Sequence, residues 1–151
     1  MLRGVSAVVD PSSVTAVVNT ADDTVMHGLH ISPDLDTVTY TLASAIDPER
    51  GWGLVGETWR AMEALARYTP ARPPASQAGA TWFNLGDQDL ATHLYRTARL
   101  REGATLTQVT SEITRSWGLD QRILPMSDDR SEEHTSELQS HLNLVCRHLL
   151  E

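Results

Sequence analysis

The stretch VTAVVNTADD, residues 14–23, decides the fold class. Its first part, Val14–Thr20, is rich in β-branched side chains and bounded by polar residues, which predicts a strand buried on both faces of a parallel sheet. Asn19, Asp22 and Asp23 stand at the carboxyl end of this strand. Ligands of open α/β sheets bind at the carboxyl ends of strands. The stretch therefore predicts an α/β protein with a ligand site at these side chains.

The segment after this strand has the spacing of an amphipathic helix. Ser32 can cap it, Pro33 suits its first turn, and apolar residues recur at helical spacing as far as Ile46. Asp34 and Asp36 fall in the first turn, where the helix dipole favours carboxylates. The spacing predicts a helix over residues 33–46.

Strands and helices alternate along the rest of the chain. We predict a helix around Trp59, Met62 and Ala66, followed by a buried strand in TWFNLGD (81–87). Asp87 and Asp89 open the next predicted helix, which contains Leu90, Leu94 and Ala98. A further helix is predicted from a Thr105–Gln108 capping box to Gly118, with a buried stripe of Leu106, Val109, Ile113 and Trp117, and a short strand follows in RILPMSDD (122–129). This alternation predicts a three-layer, doubly wound, mostly parallel sheet of the Rossmann-like kind, present here in incomplete form.

Three polar sets follow the predicted strands and should meet at one edge of the sheet. They are Asn19, Asp22 and Asp23; Asn84, Gly86 and Asp87; and Met126, Ser127 and Asp128. Oxygen ligands suit a hard cation, so the sets predict a site for magnesium and phosphate. The alternative is that each aspartate only caps the next helix, a role that aspartate often takes.

Composition excludes some partners. The net charge is −8, which disfavours nucleic acid and anionic membranes, and no apolar run is long enough to cross a bilayer. Cys146 is the single cysteine, so no disulfide framework exists and a cytoplasmic location is expected.

Residues 130–151 differ in character from the rest. The segment RSEEHTSELQSH resembles the translation of a sequencing-library adapter, so we expect an artefactual or disordered tail behind a partial domain of residues 1–129. The alternative is a genuine amphipathic helix, with Leu138, Leu142, Val145 and Leu149 on one side.

Four blocks in order carry a family resemblance: NTADDTVMHGLHISPDLDTVTYTLA, GWG followed by ETW, WFNLGDQDLATHLYRT, and LPMSDD. Over residues 1–129 the chain resembles the 2-phospho-L-lactate transferase family of coenzyme F(420) biosynthesis, which includes phosphoenolpyruvate-type transferases in actinobacteria. The resemblance implies a Mg²⁺-dependent transfer of a phospholactyl or phosphoenolpyruvyl group from a GDP-linked donor to the hydroxyl of a deazaflavin alcohol, with release of GMP. It also implies a homodimer of the full-length protein.

The resemblance also assigns site residues. Asp22 and Asp36 are the expected catalytic residues and metal ligands, and the expected deazaflavin contacts are Asp36, Asn84, Met126 and Ser127. Weaker candidates are Asp23, Asp34, Trp82 and Asp87; an aromatic residue such as Trp82 can equally well be plain core.

The chain departs from the family pattern in several places. Ala21 stands where the family has glycine, which costs roughly 1 kcal/mol if the turn needs a positive φ. Asn84 stands where some archaeal members have a basic residue. The family's first strand and Gly-rich phosphate loop should lie before Met1. The carboxyl-terminal half of the family's proteins is also expected to lie outside this sequence. A fragment without that loop is expected to be inactive.

Two other interpretations stay open. His27, His30 and Asp34 could bind a metal, although their spacing matches no strong zinc signature. The fold also suits a sugar-nucleotide-binding regulator without catalysis, which ligand-dependent thermal stability would distinguish from the transferase.

Overall fold

The computed structural model describes residues 2–76, 78–79 and 83–128. The strands are β1 (Thr15–Val18), β2 (Thr24–Met26), β3 (Leu29–Ile31) and β4 (Arg122–Pro125), and the helices are α1 (Leu2–Ser6), α2 (Pro33–Leu42), α3 (Arg60–Ala66), α4 (Asp89–Arg101) and α5 (Leu106–Ser116). Single 3₁₀ turns occur at Pro11–Ser13 and Thr69–Ala71. Trp82 and the predicted tail, residues 130–151, lie outside the described residues.

The parallel pair β1–β4 confirms the predicted α/β class. Thr15 lies opposite Arg122 and Val18 opposite Pro125, and the chain between the two strands carries helices α2 to α5. Parallel neighbours need such a crossover connection, usually through helices. Helices α2, α4 and α5 pack on the sheet through one buried cluster: Ala16, Val18, Leu35, Leu100, Leu106, Val109, Ile113 and Ile123.

Strand β1 alternates in burial, contrary to the prediction that both of its faces are buried. Ala16 and Val18 are in the core, whereas Val17 is 65% exposed. Successive strand residues point to opposite faces, and in the described part of the chain only the face toward the helices is covered. A β-branched run therefore predicted the strand correctly but overestimated its burial.

Strands β2 and β3 form a hairpin that the sequence did not predict. They pair antiparallel, and the two residues between them, His27 and Gly28, both have positive φ, 53° and 74°. Positive φ at both central positions is the requirement of a type I′ turn, which matches the twist of the strands. The hairpin packs on α4, since the backbone N–H of His30 donates to Oγ1 of Thr97 at 2.8 Å.

Helix α2 begins at the predicted Pro33 but ends at Leu42, four residues before the predicted end. Ser44 takes a left-handed φ of 57°, and the N–H groups of Ala45 and Ile46 both donate to the carbonyl of Tyr40. Ile46 then forms a β-bridge with Leu54. Ile46 therefore continues the apolar spacing of the helix although it lies beyond the end of α2, in the segment that pairs with Leu54.

Helices α4 and α5 differ in how well the apolar pattern predicted them. The Thr105–Gln108 capping box of α5 is confirmed, with both reciprocal hydrogen bonds present, and Gly118 follows the helix with a φ of 69°. On α4, however, Leu94 is 57% exposed. The side of α4 that is buried carries mostly polar residues: His93, Arg96, Thr97 and Leu100.

The predicted strand in residues 81–87 is wrong for the described residues 83–86, which have no strand hydrogen bonding. Leu85 is buried with Ile31 and Met62, and Phe83 packs on the same cluster. The apolar character of this segment therefore comes from core packing of an irregular chain.

The residues before α3 and α4 cap each other's helices: Glu57, before α3, caps the amino terminus of α4, and Asp87, before α4, caps that of α3. Glu57, before α3, accepts from the backbone N–H groups of Gln88 and Asp89 at 2.8 and 3.1 Å. Asp87, before α4, accepts from the N–H groups of Arg60 and Ala61 at 3.0 Å each. Each carboxylate thus satisfies unpaired donors and the positive dipole end of the other helix.

Gly86 is required by this arrangement, and we expect Gly86→Ala to lower the free energy of unfolding by about 1–2 kcal/mol, the usual value of a helix cap. A Cβ at position 86 would lie 2.2 Å from Cδ of Glu57, so Glu57 would have to leave its hydrogen bonds. Urea denaturation of Gly86→Ala, Glu57→Ala and the double variant measures the effect. The double variant should be no less stable than Glu57→Ala; additive losses would contradict this explanation.

None of the described helices has the length and apolar composition needed to cross a bilayer.

Candidate functional site

The carboxyl ends of β1 and β4 lie side by side, and this brings together two of the three predicted polar sets. The N–H of Met126 donates to the carbonyl of Val18 at 2.8 Å, so residues 19–23 and 126–128 leave the sheet at the same edge. The third set, Asn84, Gly86 and Asp87, follows no strand among the described residues. Asp87 instead caps α3, and Asp128 accepts from the N–H of Thr107 in the first turn of α5 at 2.7 Å. The capping alternative therefore describes these two aspartates.

Asn19 links two of the predicted carboxylates. Its Nδ2 donates to Oδ2 of Asp34 at 2.9 Å and lies 3.4 Å from Oδ2 of Asp22, while its Oδ1 accepts from the N–H of Ala21 at 3.0 Å. Ala21 does not have a positive φ, so alanine at this position carries no backbone strain of the kind considered above. Asp22 is exposed and Asp34 is half-buried, so this cluster faces solvent.

Asp23 points the other way, toward the interior. Its Oδ2 accepts from the hydroxyl of Ser32 at 2.7 Å, and its Oδ1 is buried without a hydrogen-bond partner. Burial raises the pKa of Asp23 to about 6, against the opposing effects of Ser32 and Arg96. The nearby carboxylates of Asp36 and Asp34 add to the increase. A buried oxygen with no donor is a position that a proton or a cation would stabilise.

Asp36 is buried, with an exposed fraction of 5%, and pairs with Arg96 of α4. The Nη1 of Arg96 donates to Oδ2 of Asp36 at 3.1 Å, and its Nη2 donates to Oδ1. Burial raises the pKa of Asp36, and the guanidinium opposes this increase. The two-pronged geometry is that of an arginine–carboxylate ion pair.

His93, Asp89 and Tyr40 extend this pair into a buried polar network. His93 lies between two carboxylates: its Nδ1 is 3.7 Å from Oδ2 of Asp36, and its Nε2 is 3.3 Å from Oδ2 of Asp89, an ion-pair distance without a formal hydrogen bond. The hydroxyl of Tyr40 donates to Oδ1 of Asp89. Burial and the charges of Asp36 and Asp89 raise the pKa of Tyr40, so the phenol keeps its proton. Burial acts to raise the pKa of Asp89, but its contacts with His93 and Tyr40 lower it.

The metal-binding capacity of this edge depends on where Arg96 lies. In the part of the chain that the structure describes, Asp36, Asp89 and His93 bring three potential ligand atoms within 4.8 Å of one another. However, Nη1 of Arg96 lies 3.1 Å from Oδ2 of Asp36 and 3.3 Å from Nδ1 of His93, between two of these ligands. A dication about 4 Å from the guanidinium would be repelled by about 8 kcal/mol at an effective dielectric constant of 20. Arg96 is therefore the cation inside this group.

The solvent-facing side of the edge carries the carboxylates of Asp22 and Asp34, joined by Asn19. Their oxygens are of the kind that a hard cation prefers, but in the described part of the chain neither residue belongs to a group of three potential ligand atoms within 4.8 Å of one another. Asp36 is buried, and both of its oxygens accept from Arg96.

The remaining predicted residues are placed as follows. Asn84 and Met126 are exposed, and Ser127 is half-buried at the β4 edge. Trp82 lies outside the described residues. His27 and His30 stand on the hairpin, and the three-ligand group among the described residues includes neither of them.

No role was expected for His93 or Arg96 from the sequence, and Asp89 was expected only to open a helix, although all three lie in the quoted block WFNLGDQDLATHLYRT. A signal was present: Asp89 and His93 are four residues apart and Arg96 three further on, so they share one helical face. Because this face is polar, the apolar pattern of the sequence does not indicate that it is buried.

The chain is similar to known proteins over most of its length. The family model described as 2-phospho-L-lactate transferase CofD matches residues 1–140. The chain is 50% identical to the phosphoenolpyruvate transferase of Nocardia farcinica over 133 residues, which is 88% of this chain and 38% of that protein. It is 54% identical over 125 residues to that of Mycobacterium sp. (strain JLS), covering 83% of this chain and 35% of the relative. For the phosphoenolpyruvate transferase of Mycolicibacterium smegmatis the identity is 53% over 121 residues, 80% of this chain and 35% of that protein. The chain thus spans little more than a third of the length of these relatives.

Proposed function

Because this chain belongs to the 2-phospho-L-lactate transferase family, we propose that the protein to which it corresponds transfers a phosphoenolpyruvyl or phospholactyl group from a GDP-linked donor to a deazaflavin alcohol, releasing GMP, in coenzyme F(420) biosynthesis. The observation that carries the proposal is the acidic edge at the ends of β1 and β4, where Asn19 links Asp22 and Asp34. The activity is proposed for the whole protein, since the chain spans 35–38% of its relatives.

The proposed reaction asks mainly for positioning. The terminal hydroxyl oxygen of the alcohol forms a bond to the phosphorus of the donor, the bond from that phosphorus to GMP breaks, and the hydroxyl proton is lost to solvent. Holding the two reactants in line supplies much of the rate of such a transfer. We propose that Asp36 orients the hydroxyl and that Asn84, Met126 and Ser127 contact the deazaflavin.

Mg²⁺ bound at the acidic edge would neutralise charge on the diphosphate of the donor. Asp22 and Asp36 are the residues proposed to hold it, with Asp23 and Asp34 as weaker candidates. The carboxylate oxygens that Asp22 and Asp34 offer on the exposed side are the ligand type that Mg²⁺ prefers, which supports a cation at this edge. A homodimer and a cytoplasmic location are further proposals, the second resting on the single cysteine.

Ligand-dependent thermal stability tests the proposal. In the presence of Mg²⁺, the deazaflavin alcohol should raise the melting temperature of the chain, because a ligand at 100 times its Kd stabilises the native state by about 2.7 kcal/mol. Asp22→Asn should reduce this increase, and Asp120→Asn, at an exposed aspartate, should not. Stabilisation by a UDP-sugar but not by the deazaflavin would favour a sugar-nucleotide-binding regulator instead. No stabilisation by either ligand would overturn the proposal for this chain.

A further inference from the structure

We propose that Trp52 and Phe83 form a subsite that stacks the flat ring system of the deazaflavin alcohol. This inference rests on the proposed function, because it concerns the acceptor of the reaction proposed above. Its basis is an aromatic pair beside Asn84. The ring centroids of Trp52 and Phe83 lie 5.8 Å apart with 39° between their planes, and Trp52 is 44% exposed.

Trp52 lies in a loop whose backbone is tightly hydrogen-bonded. The N–H of Gly51 donates to the carbonyl of Asp47 at 2.9 Å, and the N–H of Asp47 donates to the carbonyl of Gly53 at 3.0 Å. Gly51 and Gly53, on either side of Trp52, have φ of 74° and 68°, which residues with a Cβ rarely adopt. The loop therefore holds the Trp52 side chain at the surface in a defined position.

Arg50 fixes the orientation of the Trp52 ring. Its guanidinium carbon lies 5.4 Å from the ring centroid of Trp52 and 4.9 Å from that of Trp59, both within the range of cation–π contacts. The same guanidinium pairs with Asp47 at 2.8 Å and donates to the carbonyl of Leu54 at 2.9 Å. A ring that is already oriented in this way loses little freedom when a ligand stacks on it.

The aromatic pair is connected to the acidic edge through the β2–β3 hairpin. Phe83 packs on the buried cluster that contains Ile31, at the end of β3. The next residue, Ser32, donates its hydroxyl to Asp23 of the acidic edge. The reacting hydroxyl of the alcohol stands at the end of its polyol chain, so the ring has to bind away from that edge. Asn84, proposed above to contact the deazaflavin, is exposed and directly follows Phe83.

Isothermal titration calorimetry of the full 151-residue chain with the deazaflavin alcohol tests the inference. Trp52→Leu keeps an apolar side chain without the flat aromatic ring. It should weaken binding by about tenfold, within the range found for aromatic side chains that stack nucleobases. Trp52→Phe restores an aromatic ring and should recover most of the affinity. Tyr68→Leu, at an aromatic residue that is 67% exposed, is the matched control and should leave the affinity unchanged.

The outcomes separate this inference from the proposed function. If Asp22→Asn weakens binding of the alcohol and Trp52→Leu does not, the proposed function stands and the aromatic subsite is overturned. If Trp52→Leu weakens binding and neither Mg²⁺ nor Asp22→Asn affects it, the subsite stands and the proposed metal site fails. Equal losses in Trp52→Leu and Trp52→Phe would overturn the inference, because the flat ring would then not be what binds.

Guanine is also a flat ring, so GDP is titrated in parallel. Weaker binding of GDP but not of the deazaflavin alcohol in Trp52→Leu would assign the subsite to the donor and overturn the inference. Should Trp52→Leu not fold, Phe83→Leu removes the other ring of the pair; an unchanged affinity for the alcohol in that variant would also overturn it.

Discussion

Arg96→Met is expected to lower the free energy of unfolding by about 3–5 kcal/mol, the cost of leaving one partner of a buried ion pair without the other. The variant removes the guanidinium from Asp36, which is 5% exposed. Asp36 then has to be buried charged or take up a proton. Urea denaturation at pH 7 measures the loss.

Two further variants identify the cause of that loss. Arg96→Met combined with Asp36→Leu removes both charges, so it should be markedly more stable than Arg96→Met alone. Arg115→Met, at an exposed arginine of α5, should change stability by less than about 0.5 kcal/mol. A loss below about 1 kcal/mol in Arg96→Met would show that the pair is not buried as described.

Asp23→Asn is expected to stabilise the protein increasingly as the pH rises from 4 to 8. The folded-state pKa of Asp23 is raised from 3.8 to about 6, so its contribution to stability is present below pH 4 and is lost as the pH rises through 6. At about 1.36 kcal/mol per pKa unit, the loss amounts to up to about 3 kcal/mol above pH 7. Asparagine does not ionise and can still accept from Ser32, so the variant should escape this loss.

The measurement is the difference in free energy of unfolding between Asp23→Asn and the unchanged chain, taken across that pH range with chelator present. Asp120→Asn, at an exposed position, serves as the matched control. A difference that stays constant with pH would contradict the described burial of Asp23.

Local signals made some elements predictable. The α5 helix was recognised because its capping box and apolar stripe lie within a dozen residues and act within the helix itself. Strand β1 was recognised from its β-branched run, and the acidic residues at its end follow from adjacency in the chain. The polar residues that follow β1 and β4 were expected at one edge of the sheet, and the parallel pairing of these two strands places them there.

Other features depend on contacts that a sequence pattern does not contain. The early end of α2 depends on a left-handed Ser44, and the β2–β3 hairpin turns at His27–Gly28 rather than at a typical Asn-Gly pair. The pairing of Asp36 with Arg96 joins residues 60 positions apart. Because Arg96 and His93 are polar, their burial could be recognised only once Asp36 and Asp89 were seen beside them.

The reciprocal caps of α3 and α4 affect how well insertions and deletions between Glu57 and Asp87 are tolerated. Glu57 and Asp87 fix the two ends of the segment between them at neighbouring points, independently of the path that the chain takes in between. Doubling the length of a flexible loop costs only about 0.6 kcal/mol once its ends are held. Insertions and deletions within residues 72–80 should therefore be well tolerated in evolution, whereas Glu57 and Asp87 should be conserved.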